Sequence, residues 1–193
     1  NIRRDDGDLV LRTTPPFKAG LSEVLLQLNS SREAVRAEVR VQGSQLGELA
    51  WQAELPIALR DGNLVISNTL PARGSARINL PSIRWAGPWL GPAHDIDGTL
   101  NADLALSGIW PQLKPSGYLR GDKLSYAHLT EGLAFRDGIL RARLDPGVLA
   151  LETFRIQGGS GFFTASAELL LNEESPTAGL DWKAEGLHVL NLD

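Results

Sequence analysis

Residues 33–42 read EAVRAEVRVQ, and apolar and polar side chains alternate along this stretch. Val35, Ala37, Val39 and Val41 occupy the odd positions, whereas the even positions from 36 to 42 carry charged or amide side chains. Because successive side chains of a strand point to opposite faces, a period of two predicts a strand with one apolar face and one polar face.

The same alternation recurs along the chain. It is clearest in residues 47–55, 98–107, 138–144 and 161–171, and no segment sustains a helical period. We therefore predict an all-β protein, in which residues 1–193 form one long, curled, open sheet of antiparallel or mixed strands with an apolar interior groove. Because an apolar sheet face must be covered by a second sheet, by helices or by curling, a closed sandwich is the alternative.

The alternation changes parity within residues 148–157. Leu149 and Leu151 share one face, but Phe154 and Ile156 fall on the other parity. One extra residue would return all four side chains to the same face, so we predict a β-bulge near Glu152 and Thr153.

Residues 80–91 break the strand pattern and contain two tryptophans, Trp85 and Trp89. We predict a short helical turn that starts near Ser82 and ends at Pro88. The tryptophans are interpreted as a lid over the edge or end of the sheet. The alternative, an interfacial membrane anchor, is disfavoured because one or two turns bury too little surface to hold a membrane.

The composition limits the class of protein. The formal net charge of −4 argues against nucleic acid as a partner, since phosphate binding needs a basic surface. The chain contains no cysteine, and no apolar run approaches the roughly 18 to 20 residues that span a bilayer. Because it opens at Asn1 without a methionine and stops just after Val189 and Leu190, we expect it to be a piece of a longer protein.

No catalytic, cofactor or metal site is predicted. Ser160 lies among glycines, but no helix pattern follows it, so a hairpin turn is expected there instead of a nucleophile elbow. The segment from His94 to Asp97 resembles a set of metal ligands, yet alternation separates its imidazole from its carboxylates, and we interpret it as a polar loop. His128 and His188 have no partner at a metal-binding spacing.

The apolar positions of the alternating segments are the predicted groove lining and the candidate ligand-binding surface. They are Val35, Val39, Val41, Leu49, Trp51, Leu100, Leu104, Leu106, Leu140, Leu149, Leu151, Phe163, Leu169 and Trp182. Wide aromatic side chains occur among small ones such as Ala102 and Ala167, which suggests that the interior is not fully filled.

The order of several motifs in the second half of the chain is similar to that in the TamB family of AsmA-like envelope proteins. The resemblance covers residues 74–193 well, whereas the first 70 residues share only the alternation of apolar and polar positions. It rests on LPSI at 80–83, DGTL at 97–100, LALSG at 104–108, PSGYLR at 115–120, FRDGIL at 135–140, GGSGFF at 158–163 and AGLDWKAEGL at 178–187.

This resemblance implies a fold called a β-taco, in which a long sheet curls lengthwise into an open trough. It also implies a periplasmic protein anchored in the inner membrane, a TamA-type β-barrel of the outer membrane as partner, and roles in outer-membrane protein assembly and phospholipid delivery. The family has no catalytic residues to transfer to this sequence.

The residues themselves favour two functions. Exposing the roughly 30 methylenes of a phospholipid to water costs on the order of 25 kcal/mol. An apolar groove that covers them could therefore act as a lipid conduit. Unpaired sheet edges accept strands, so a chaperone-like scaffold for outer-membrane proteins is the second hypothesis. The third is a carbohydrate-binding β-sandwich with Trp85 and Trp89 as its stacking platform.

Overall fold

One open sheet makes up most of the computed structural model, which describes residues 2–4, 10–11, 17–60, 63–170 and 176–187. The strands are β1 (Ile2–Arg4), β2 (Val10–Leu11), β3 (Phe17–Lys18), β4 (Leu21–Ser30), β5 (Ala34–Gly43), β6 (Gly47–Arg60), β7 (Asn63–Ile66), β8 (Pro71–Leu80), β9 (His94–Ile109), β10 (Gln112–His128), β11 (Leu133–Asp145), β12 (Val148–Gly158), β13 (Gly161–Leu170) and β14 (Thr177–Glu185).

The sheet order follows the chain order almost throughout. Eleven strands run in the order β1-β4-β5-β6-β8-β9-β10-β11-β12-β13-β14, β7 pairs with β6 beside this path, and β2 and β3 form a separate two-stranded ribbon. Every pairing is antiparallel, as expected when short turns join neighbouring strands. The predicted all-β fold with one open sheet is confirmed, and the sheet does not close into a barrel.

The predicted bulge is present in β12. Thr153 pairs with Arg141 and Leu151 pairs with Ala142, so the register skips Glu152. The pairing of β12 with β13 also shifts at this place, between Leu151 and Phe154. The hairpin expected at Ser160 is also found, because Gly158 pairs with Gly161 across the turn.

The helical segment differs in detail from the prediction. A 3-10 turn spans Arg84–Ala86, and a single α-helical turn, α1, spans Gly87–Leu90. The prediction that Pro88 ends the helix was wrong, because Pro88 lies in the first turn of α1. Proline is tolerated there, since the first N–H groups of a helix have no partner within the helix.

The segment from His94 to Asp97 was predicted as a polar loop, and this was wrong. It forms the first part of β9, where His94 pairs with His128 and Asp97 pairs with Ser125. The neighbouring strand β10 supplies the hydrogen bonds that make this polar segment extended, which local composition does not reveal.

Gly117 permits close packing in the middle of the sheet. Its φ is +139°, and a Cβ added there would collide with the carbonyl oxygen of Asp103 and crowd the Cα of Leu104. Both obstacles are backbone atoms of the adjacent strand, so they cannot move aside as a flexible side chain would.

We expect Gly117→Ala to lower the free energy of unfolding by about 2 kcal/mol or more, because the substitution adds strain at a left-handed backbone position. Urea unfolding monitored by circular dichroism measures this change. Gly179→Ala is the matched control in β14, since a Cβ at Gly179 meets nothing within 4 Å. Equal effects of the two substitutions would contradict the role assigned to Gly117.

Candidate functional site: an uncovered apolar face

The strand register places the apolar residues of neighbouring strands side by side. Directly paired residues of antiparallel strands point to the same face of the sheet. One row of paired residues crosses the sheet from β4 to β14 and contains Leu26, Val39, Trp51, Ala76, Leu104, Gly117, Leu144, Leu149, Leu169 and Ala178. We call the side of the sheet that carries this row the apolar face.

All of the predicted groove residues lie on this apolar face. In the β4 to β8 half they are Val35, Val39, Val41, Leu49 and Trp51. In the β9 to β14 half they are Leu100, Leu104, Leu106, Leu140, Leu149, Leu151, Phe163, Leu169 and Trp182. The register therefore joins into one surface residues that the sequence alone could only assign strand by strand.

The face also includes apolar residues that were not among the predicted groove lining. They are Leu26 and Leu28 on β4, Ile78 on β8, Leu119 on β10, Leu144 on β11, Phe154 on β12 and Leu180 on β14. For most of them, the alternation within the strand already indicated which face they occupy. Phe154 joins the face only because the bulge at Glu152 restores its parity.

No second layer packs on the apolar face within the described part of the chain. Each large strand makes its main contacts with its neighbours in the sheet, and the short helical segment packs on β9. The exposed fractions are 41% for Trp51, 44% for Leu149 and 65% for Trp182. Among the described residues no large hydrophobic side chain is fully buried, so the apolar face is open to contact.

The opposite side of the sheet, the polar face, carries ion pairs that are exposed to water. Arg36 contacts Glu54 at 3.0 Å across β5 and β6, and Arg143 contacts Glu152 at 3.0 Å across β11 and β12. The hydrogen bond from the Arg36 guanidinium lowers the pKa of the Glu54 carboxyl. Such exposed pairs contribute little stability, so the polar face reads as a solvated surface.

A shallow depression on the polar face, of about 380 Å³, lies between β5, β6 and β8. Its lining includes Arg36, Gln52, Glu54 and Arg73. Arg36 is already paired with Glu54 there, and the charge of Arg73 acts on the same carboxylate.

Aromatic and imidazole rings gather at one end of the apolar face. The Nδ1 atom of His94 lies 2.9 Å from the hydroxyl oxygen of Tyr126, and the rings of His94 and His128 are 4.6 Å apart. No partner for His128 was evident from the sequence, and the pairing of β9 with β10 brings it beside His94. His188 lies outside the described residues. Within those residues no three metal-ligating side chains of the His, Cys, Asp or Glu type come together.

The helical segment lies beside the edge of β9, beyond the point where β8 ends. The amide of Ile83 donates to the carbonyl oxygen of Gly98, and Gly87 approaches the backbone at His94 and Ile96. Trp85 and Trp89 meet edge to face, with centroids 5.6 Å apart and planes at 78°. Two rings at this angle do not form one flat platform for a sugar.

A polar clamp attaches this segment to the sheet. The Ser82 hydroxyl donates to the Asp97 carboxylate at 2.7 Å, and the Arg84 guanidinium donates to it at 2.6 Å. Partial burial opposes ionisation of Asp97, but hydrogen bonds from Ser82 and the Gly98 amide, together with the charge of Arg84, lower its pKa overall.

No family model, curated protein or solved structure matches this chain at a significant level. In the part of the chain that the structure describes, no helix has the length and hydropathy required to cross a membrane. Of the alternative folds considered above, the closed sandwich is wrong for the described residues, since only the small β2–β3 ribbon lies outside the main sheet.

We expect Asp97→Asn to destabilise the chain by about 1 kcal/mol at neutral pH, because it removes a charged hydrogen-bond acceptor. The pKa of Asp97 is lower in the folded than in the unfolded chain, so its ionised form stabilises the fold above the unfolded pKa of about 3.9. This contribution is lost as the pH falls through the folded pKa, and the effect of the variant should disappear there.

Urea unfolding monitored by tryptophan fluorescence, at neutral pH and below pH 3, tests this expectation. Asp103→Asn is the matched control, since Asp103 lies in the same strand but pairs with Arg77 at the exposed surface. A penalty for Asp97→Asn that is equal at both pH values would contradict the clamp.

Proposed function

We propose that this chain is the periplasmic part of a protein that bridges the inner and outer membranes of a bacterial envelope. In this proposal its apolar face shields the acyl chains of phospholipids during transfer. The observation that carries the proposal is the uncovered apolar face, which continues across the paired strands from β4 to β14. The proposal contains no catalytic step and no cofactor.

The energetics favour an apolar cargo with long chains. Each methylene that leaves water contributes about 0.8 kcal/mol, so an acyl chain lying along the rows of leucine and valine would be strongly retained. The cargo would in turn cover side chains such as Trp51 and Leu149, which the sheet leaves partly exposed. Protein and cargo therefore supply each other with the missing apolar layer.

The partners and the location in this proposal come from the resemblance of residues 74–193 to the TamB family. They are a TamA-type β-barrel in the outer membrane, and an inner-membrane anchor belonging to a longer parent protein. The open, single-layer architecture supports the resemblance, because a sheet with an accessible apolar face is what the family's trough requires.

A chaperone-like scaffold for outer-membrane proteins is the second candidate, and one observation favours it. Strand β14 forms an edge of the sheet, and all nine of its residues are exposed. An incoming strand with alternating apolar residues could pair with this edge and continue the apolar face. Under this hypothesis the cargo is an unfolded barrel protein instead of a lipid.

We expect Leu104→Asp to reduce the amount of co-purified phospholipid, and the rate of phospholipid transfer between vesicles, at least about tenfold. A carboxylate in the middle of the apolar face must lose its hydration when an acyl chain covers it. Native mass spectrometry measures the bound lipid, and a fluorescent phospholipid reports transfer. Leu106→Asp, on the same strand and face, should behave in the same way.

Ala105→Asp is the matched control, since Ala105 lies between these leucines, is exposed and points to the polar face. Circular dichroism and urea unfolding establish that each variant is folded. If Leu104→Asp does not fold, Leu149→Asp replaces it, because Leu149 is already 44% exposed. Folded apolar-face variants that bind and transfer lipid as well as Ala105→Asp would refute the lipid proposal.

The affinity for lysophospholipids should rise about twofold to fourfold with each added methylene, the upper value being that of a fully buried chain. Isothermal titration calorimetry with a series of acyl lengths, kept below their micelle concentrations, measures this slope. An affinity that does not change with chain length would argue against acyl binding. If instead an unfolded barrel protein is retained while lipids are not, the scaffold hypothesis takes its place.

A further inference from the structure

The two edges of the main sheet differ in their capacity to accept another strand. At one edge, β1 is only three residues long and covers only Val24 to Leu26 of β4. At the other edge, β14 is nine residues long and pairs with β13 without any register shift. In the part of the chain that the structure describes, no strand pairs with the outer side of β14.

Strand β14 lacks several of the features that normally block an edge. Natural edge strands are short, bulged, interrupted by proline or charged, and of these features β14 has only charges, at Asp181, Lys183 and Glu185. β14 contains no proline and no bulge, and its apolar-face residues are Ala178, Leu180, Trp182 and Ala184. Leu180 and Trp182 are each 65% exposed, so both the backbone and the apolar side chains of this edge are available.

The charges of β14 are arranged so that the strand complements itself. On the polar face Asp181 and Lys183 flank the position of Trp182, and Lys183 also contacts Glu185 of its own strand. In an antiparallel pairing of two copies centred on Trp182, each Asp181 faces Lys183 of the other copy, and Leu180 faces Ala184. Opposite charges directly across a strand pair stabilise it, and like charges destabilise it.

Other registers of the antiparallel β14 pair bring like charges together or misalign the apolar faces. Centring the pair on Asp181 places two aspartates opposite each other, and centring it on Lys183 places two lysines together and Asp181 against Glu185. A shift by one residue would turn the apolar face of the second copy to the opposite side of the sheet. The Trp182-centred register avoids these conflicts and keeps both apolar faces on one side.

We propose that two copies of this chain associate through β14, in an antiparallel pair with twofold symmetry centred on Trp182. The interface uses the same strand in both copies, so it closes as a dimer and does not propagate into a filament. The two apolar faces become one continuous surface, and the Trp182 rings of the two copies meet across the axis. This proposal does not depend on which cargo the face carries.

Reversing single charges tests the register. We expect Asp181→Lys and Lys183→Asp each to weaken dimerisation about tenfold, because each variant places two like-charged pairs across the axis. Mixing the two variants should restore the dimer as a heterodimer, since every pair then has opposite charges. Sedimentation velocity of the full chain over a range of concentrations measures these equilibria, with Lys183→Arg as the charge-preserving control.

A cysteine crosslink provides an independent measurement, because the chain contains no cysteine of its own. Directly opposite residues of antiparallel strands have Cα atoms about 4.5–5.5 Å apart, within the roughly 4.4–6.8 Å that a disulfide spans. Trp182→Cys should therefore form a covalent dimer on oxidation. Ala184→Cys is the matched control, since its two copies would lie about 13 Å apart along the strands.

A chain that stays monomeric at high concentration would overturn the proposal and leave the β14 edge to a different partner. Oligomers that are insensitive to the charge reversals, or crosslinking that is equal for Trp182→Cys and Ala184→Cys, would also overturn it. Circular dichroism of each variant separates a loss of association from a loss of folding.

Discussion

The structure depends on one constraint: among the described residues, no second layer of strands or helices covers the apolar face of the sheet. The backbone N–H and C=O groups are hydrogen-bonded, because each interior strand has neighbours on both sides. The apolar side chains are not removed from water, since residues such as Trp51 and Leu149 remain more than two-fifths exposed. In an ordinary domain a second layer of helices or strands would remove this surface from water.

Continuity of the apolar face requires that every strand keep its register. A slip of one residue would move all the apolar side chains of that strand to the polar face. Register shifts absorb the changes of parity. The bulge at Glu152 returns Phe154 to the row of Leu140 and Ala165, and the register of β10 shifts in the same way between Asp122 and Ser125. Gly117 has a complementary role, because it lets β10 approach Leu104 closely within the same face.

The uncovered face and the open edge have the same physical origin. A single-layer sheet that does not close must leave one face and two edges available to other molecules. The face suits flexible apolar chains, which bind through area and need no directional contacts. The β14 edge suits another strand, which binds through directional backbone hydrogen bonds, and a second copy of the same strand matches its charges. In the two proposals, lipid binding uses the apolar side chains of the sheet and self-association uses the backbone edge of β14, and Trp182 belongs to both surfaces.

The period of two in the sequence was enough to predict the all-β class, the bulge near Glu152 and the assignment of apolar residues to one side of each strand, but it left a closed sandwich as an alternative to the open sheet. These features are local, because strand alternation places each side chain relative to its immediate neighbours. Prediction failed where a neighbouring strand decides the outcome. His94 to Asp97 became a strand because β10 pairs with it, and His128 met His94 through the same pairing.

What the amino-acid sequence determined by itself is therefore the two-faced character of each strand. Only the tertiary structure decided that the separate apolar faces merge into one surface, that nothing among the described residues covers it, and that β14 is left as an accessible edge. Strand order and register join residues that are far apart in the chain, such as Trp51 and Ala76 or Leu104 and Gly117. Those pairings depend on hydrogen bonds between segments, which no pattern within a single segment can specify.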